Sequence, residues 1–185
     1  CHDRDGNLLW EISMMERFGR LTFPNGRAGS CVIVDDLLIT RAVTSYWGAD
    51  GPARDRFFGF DKNTGELVWS STPGVGPPFL KDTSFSSPVV TVRNGRQVFY
   101  AGTGCGNLVC VNLADGKPLW RYQMSMGGIN SSVLIHGDKL IGVHGKENLD
   151  TTEIGRMFAL NLPSDDANSG GVVDPMQKGA PRIEE

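Results

Sequence analysis

Several groups of side chains in this sequence have types and spacings that chemistry could use. Glu147, Asn148 and Asp150 place three oxygen-bearing side chains in one polar stretch, the raw material of a Ca²⁺ shell, which draws on about 6–8 oxygens. Their spacing is not that of an EF-hand loop, so solvated loop polarity is the reading adopted. His136 and His144 flank a turn and an apolar run. No motif ties a nucleophile or carboxylate to either, and both are read as structural. Cys105 and Cys110 bracket a turn, but no His is near them in sequence and Cys110 sits in an apolar run, so packing is preferred to metal binding. Gly102-Thr-Gly-Cys-Gly106 has the composition of a phosphate loop without the helix that would present an N-terminus to the anion. Asn130-Ser131-Ser132 fits a glycosylation acceptor, which matters only in a eukaryotic secretory setting. No catalytic, cofactor-binding or metal-binding residue is assigned. The remaining candidates are contact residues: Tyr46 and Trp47 offer stacking surface, and Arg54, Asp55 and Arg56 offer charge, all in one Gly- and Pro-containing stretch.

The elements that must position these residues are short strands. From Ser86 to Met124 the chain reads as an apolar, β-branched run (86–92), a turn at Asn94-Gly95, a second strand (97–101), a Gly-rich turn (102–107), a third strand (108–111) and a fourth (119–123). Four strands joined by turn residues, with no helical period, predict an antiparallel meander. The same grammar recurs on both sides, with Ser30–Val34 and Leu37–Thr40 opening an earlier unit and Ser131–Ile135 and Lys139–Val143 a later one. A single phrase closes each unit. It runs from Asp61 through Gly65 to Trp69 and from Asn112 through Gly116 to Trp120, and an earlier copy runs through Gly6 to Trp10. The three glycines lie 59 and 51 residues apart. A further copy starts at Asn161 and loses its Gly and Trp. Repetition of a four-stranded unit at this period predicts β-propeller blades. Trp10, Asp61, Gly65, Trp69, Asn112, Gly116 and Trp120 are therefore read as residues that serve the repeat, with the Trp rings filling the space between blades.

These phrases resemble the PQQ-like β-propeller repeat family, whose outer hairpin reads roughly Ala-x-Asp-x-x-Thr-Gly-Lys-x-x-Trp. Residues 59–69 match it except at the small first residue and the Lys, and residues 110–120 match with Asn and Asp substituted. The resemblance extends over about Cys1 to Leu162. It implies an all-β fold, a partial β-propeller of about three four-stranded antiparallel blades in an open arc. The expected organisation is a blade end at 1–15, blades at 28–72 and 86–124, an incomplete blade at 130–162, and a loop or disordered tail at 163–185, a piece of a larger propeller cut in mid-repeat. For function, the resemblance implies either a non-catalytic interaction or scaffold module in the periplasm or cell envelope, or part of a quinoprotein alcohol or sugar dehydrogenase using PQQ and Ca²⁺. The dehydrogenase branch carries an adjacent Cys pair beside the quinone. Cys1, Cys31, Cys105 and Cys110 include no such pair, which favours the scaffold reading with proteins as partners.

Composition narrows the classes further. A net charge of −3 and a pI near 5.6 leave no basic stripe for nucleic acid. No apolar run is long enough to span a membrane. Antiparallel connectivity sends the loop between the second and third strands of a blade, and the loop to the next blade, off the same end of the sheet. The longest of them, 45–56, 145–155, 14–25 and 73–81, collect on one rim, where a propeller would carry its contacts. Met14, Met15 and Phe18 lie in that set, and packing beneath their own loop is preferred to an exposed contact patch.

Overall fold

The computed structural model describes residues 1–18, 20–21, 30–45, 54–73, 84–162, 171–172 and 183–184. The first residues form a short hairpin, its arms joined by the His2–Leu8 bridge and by the Cys1 nitrogen donating to the Trp10 carbonyl at 2.8 Å. One helical turn, α1 (Met14–Phe18), and a two-residue strand, β1 (Arg20–Leu21), follow. The first blade consists of β2 (Val32–Val34), β3 (Leu37–Ser45), β4 (Arg54–Asp61) and β5 (Leu67–Ser71). The second contains β6 (Val89–Arg93), β7 (Arg96–Gly102), β8 (Asn107–Asn112) and β9 (Pro118–Gln123). The third is built on β10 (Leu134–His136), β11 (Lys139–Glu147) and β12 (Ile154–Asn161). Within each blade the consecutive strands pair antiparallel. The chain is a partial β-propeller in an open arc.

Two details differ from the sequence reading. The stretch 14–25, read as a loop, begins with α1. Met14 and Phe18 pack on Ala42, Phe58 and Phe60, with the Phe18 and Phe58 ring centroids 4.6 Å apart, whereas Met15 points to solvent. In the segment read as a loop or tail, β13 (Gly171–Val172) pairs parallel with β9, and β14 (Ile183–Glu184) pairs antiparallel with β12 in the position of a fourth strand. Pairings of two residues leave no alternating apolar pattern for a sequence reading to find.

The hairpin that closes each blade shows why its residues recur. The Asp61 carboxylate accepts from the Asn63 and Thr64 N–H groups, both at 2.8 Å, and Gly65 N–H closes on the Asp61 carbonyl. These turn donors, Thr64 first, hold the Asp61 carboxyl below the usual carboxylate range. In the next blade the roles are shared, with Asn112 Nδ2 donating to Asp115 while Gly116 N–H again closes on the Asn112 carbonyl. Gly65 and Gly116 sit at φ +74° and +69°, where a side chain is strained.

They are also overlaid. A Cβ on Gly65 would lie 2.6 Å from the Trp10 ring, and one on Gly116 would lie 2.5 Å from the Trp69 ring. The Trp10 and Trp69 indoles thus each rest on the turn glycine of the next unit. Each Nε1–H donates to the backbone one residue beyond the Asp/Asn position, Trp10 to Lys62 and Trp69 to Leu113, both at 2.9 Å. A register shift lies beside both Trp69 and Trp120, between Gly59 and Phe60 and between Cys110 and Val111. Bulges of this kind re-aim side chains. The ring in turn covers its cross-strand partner, Gly59 beneath Trp69, which explains why that position is small.

The second blade is buried on both faces. Its Phe99, Ala101, Val109 and Val111 meet Ile39, Phe57 and Trp69 of the first, while Tyr100, Leu108, Cys110 and Trp120 meet Leu140, Phe158 and Leu160 of the third. The third blade's other face is open. Phe57, Leu108 and Met157 each stand four residues before the hairpin Asp or Asn, yet the first two are 0% exposed and Met157 is 75% exposed. Val143, its cross-strand partner, and Leu134 are exposed too.

Two outcomes are expected. Trp69→Ala should cost about 3–5 kcal/mol in urea denaturation, and Gly116→Ala should cost at least ~1 kcal/mol. The double variant should cost clearly less than their sum, because removing the indole vacates the space the new methyl enters; strict additivity would refute the stacking. The open face of the third blade should drive self-association visible by light scattering. Met157→Lys should reduce it while changing stability by no more than about 0.5 kcal/mol, and equal association by both proteins would show that another surface is responsible.

Candidate functional site

The rim that carries the turns between second and third strands is where contact residues were expected, and there the structure has a buried polar seam. It starts in β3, whose alternation sends Ile39 and Arg41 towards the second blade. Arg41 is 1% exposed, and its Nη1 donates to the carbonyls of Ser86 at 2.7 Å and Gly102 at 2.8 Å. Its guanidinium lies 4.7 Å from the Phe57 ring centroid, an arrangement that adds cation–π attraction. The seam continues through Ser84, whose hydroxyl lies between the carbonyls of Gly102 and Ile129 and accepts from the Ser86 N–H. Ser86 Oγ accepts from the Gly102 N–H at 2.9 Å. The links tie the interblade connection at Ser84 and Ser86 to the strands on either side, so backbone groups that no ladder satisfies find partners in the interior.

Between the second and third blades the connection 124–130 repeats this arrangement. Ile129 N–H donates to the Thr103 carbonyl and Met126 N–H to the Glu147 carbonyl, both at 3.0 Å. These bonds put the interblade connection and the turns of both blades at the same rim. At the corner between β11 and β12, Asp150 takes a two-pronged bond from Arg156, at 2.9 and 3.1 Å. That guanidinium holds the Asp150 carboxyl below its ordinary range. Burial, with Asp150 nearby, pushes the Tyr122 phenol up. His144, buried on the β11 face towards the second blade, contacts the Lys146 carbonyl through Nδ1 at 3.2 Å. Burial pushes its imidazole below the usual value.

This geometry settles where the expected residues lie. Tyr46 and Trp47 fall outside the described residues. Arg54 and Arg56, read as members of a rim loop with Asp55, belong instead to β4, paired with Thr44 and Ala42. The first blade's second and third strands extend further towards the rim than their apolar cores indicated, because a ladder that continues satisfies backbone groups a loop would leave to water. Arg56 is half-buried on the face that also carries Phe58 and Phe60. Of Glu147, Asn148 and Asp150, Glu147 is exposed, Arg156 engages both Asp150 oxygens, and Asn148 is buried with its amide nitrogen donating to Thr151. Among the described residues, no group of three or more His, Cys, Asp or Glu side chains could hold a metal ion. His136 is exposed at the end of β10, and Cys105 and Cys110 lie in a turn and a buried strand. Arg41 was missed, although an Arg two residues after Ile39 in a β-branched run is an inward position by the period of the strand.

Removal of Arg41 tests the seam. Arg41→Ala leaves the Ser86 and Gly102 carbonyls without this donor in a buried place, so a loss of roughly 2–4 kcal/mol is expected in chemical denaturation. Arg41→Lys should recover only part of it, since an ammonium lacks the planar fork and stacks less well on Phe57. A loss below about 0.5 kcal/mol for Arg41→Ala, the scale of an ordinary surface change, would show that the seam does not bear on stability.

The family described as outer membrane protein assembly factor BamB matches residues 1–157. Among solved structures, BamB from Moraxella catarrhalis is 16% identical, with 71% of this chain and 36% of that one covered and a TM-score of 0.45. A europium-containing methanol dehydrogenase is 17% identical over 82% of this chain and 26% of its own, with a TM-score of 0.47. The computationally designed Ika4 protein is 9% identical over 89% of this chain and 94% of its own, with a TM-score of 0.42. No curated protein sequence matches significantly. The chain spans about a third of the length of the BamB structure it matches and about a quarter of the dehydrogenase.

Proposed function

The chain belongs to the outer membrane protein assembly factor BamB family of PQQ-like repeats, and from that premise we propose that it is a non-catalytic protein-interaction or scaffold module of the cell envelope, working from the periplasmic side. The family match over residues 1–157 carries this reading. Two physical features support it. The residues that recur in every unit are taken up by blade packing, with Trp10 and Trp69 resting on the next hairpin. Arg41 and Ser86, buried at the rim, are spent on backbone carbonyls and an N–H group, which makes that part of the rim a stiff platform for the loops that leave it. No helix among the described residues is long and apolar enough to cross a membrane, and partners of the module are taken to be proteins.

Tyr46, Trp47, Arg54 and Arg56 are the proposed contact residues. Aromatic and Arg side chains are the types that concentrate binding energy at protein interfaces. Under this reading no quinone or metal is required. The expected result is a pull-down from envelope extract that is lost on Trp47→Ala and on Arg54→Ala while the melting temperature of both variants stays at that of the parent. Titration with PQQ and Ca²⁺, followed by dye-linked oxidation of a panel of alcohols and sugars, should give neither saturable binding nor turnover. Binding with turnover would replace the scaffold reading with that of a quinoprotein dehydrogenase. Capture that survives both substitutions would move the contact surface elsewhere on the module.

A further inference from the structure

His144 occupies an unusual place. It lies in β11 on the face that meets the second blade and is 3% exposed, with its ring 6.4 Å from the Phe158 ring. Its Nδ1 faces the Lys146 carbonyl at 3.2 Å. A carbonyl only accepts, so this contact is a hydrogen bond when Nδ1 carries the proton, and the neutral ring then leaves its lone pair on Nε2. Nε2 is buried and has no hydrogen-bond partner among the described residues. A lone pair left without a donor is a modest cost; an N–H bearing positive charge left without an acceptor is a large one.

The surroundings increase that cost. Arg156 is the cross-strand partner of His144, so protonation would set a second cation beside a guanidinium. The Asp150 carboxylate that would offset it is already held by both Arg156 nitrogens. From β9 the facing titratable group is Tyr122, a neutral phenol in the same core cluster as Phe158. On its own strand Lys146 is cationic, its stem against Gly127 in the interblade connection. Glu147 and Glu153, the other acidic residues of this corner, are exposed.

We propose that the joint between the second and third blades is acid-sensitive: a proton taken up at His144 Nε2 has no acceptor in the closed seam, so acidification releases the third blade from the second. The sign follows from linkage. The imidazole is held below its free value by burial in the closed joint, and it regains that value of ~6.5 when the joint opens and solvates it. The open form therefore binds more protons. Stability of the joint is complete above about pH 6.5 and falls as the pH drops from there towards the value in the closed form. The inference does not depend on the proposed function.

Amide hydrogen exchange, corrected for intrinsic rates, reads this directly at Leu140, Phe158 and Leu160 on the third blade's side of the seam. In the unmodified protein their protection should fall as the pH drops below ~6.5, with a slope no steeper than the tenfold per pH unit of one proton. In His144→Gln, which keeps a donor for the Lys146 carbonyl and cannot take up the proton, protection should be flat over the same range. A flat profile in the unmodified protein, or a parallel fall in both, overturns the proposal. Should His144→Gln fail to fold, ¹⁵N imidazole spectra of the unmodified protein decide the matter. A neutral Nδ1–H ring that persists below the free value of ~6.5 while seam protection falls supports the joint; titration at the free value with protection unchanged sinks it.

Discussion

The fold depends on a flat ring lying on a residue that has no side chain. Gly116 is forced to be glycine twice, by its left-handed backbone and by the Trp69 indole pressed where a Cβ would project. The same double constraint holds at Gly65 beneath Trp10. The hydrogen bond from each indole nitrogen to the neighbouring turn adds direction to an otherwise non-directional apolar contact. With ring, turn and bulge fixed together, the angle between successive blades is set by a handful of atoms at the outer edge, and the aliphatic and aromatic layers between the sheets fill in behind it.

The interblade seams are chemically graded. Towards the hairpin rim they are apolar and aromatic, with Trp69 stacked near Phe99 and Tyr100 near Trp120. Towards the opposite rim they become polar, with Arg41, Ser84, Ser86, Thr103 and His144 all buried. Such a gradient follows from the chain path. Strand-to-strand ladders stop at the rim, and the connections that leave it carry backbone groups needing partners, so polar side chains enter the interior towards the ends of the ladders. A buried guanidinium serves this need well, because one planar head reaches two carbonyls and still lies flat on a ring.

How much of this was legible in the sequence depended on whether a feature repeats. The Asp/Asn, Gly and Trp phrase is short, but its recurrence at Trp10, Trp69 and Trp120 made blade order and hairpin position readable. Features that occur once were harder to see. Strand β4 was read as starting after Arg56, since charged residues resemble loop until their partners in β3 are known. Arg41 looked like a strand end, and its acceptors lie 45 and 61 residues further along the chain. His144 carried no motif, and its meaning comes from what surrounds Nε2, which is a tertiary fact. The two-residue strands β13 and β14 are held by position alone, with too few residues to generate a period.

The handing of each ring to the next unit's glycine has a genetic consequence. The first blade carries both halves of the joint, Gly65 receiving Trp10 and Trp69 passing to Gly116, so the contact is written across repeat boundaries rather than within a repeat. A duplication or deletion that cuts at equivalent points therefore regenerates a matched ring and glycine at the new junction, wherever in the repeat it cuts. A recombination that slips by a single residue loses the pairing at once. Blade number is in this sense an easily edited quantity for such a chain, whereas the internal spacing of the hairpin is not.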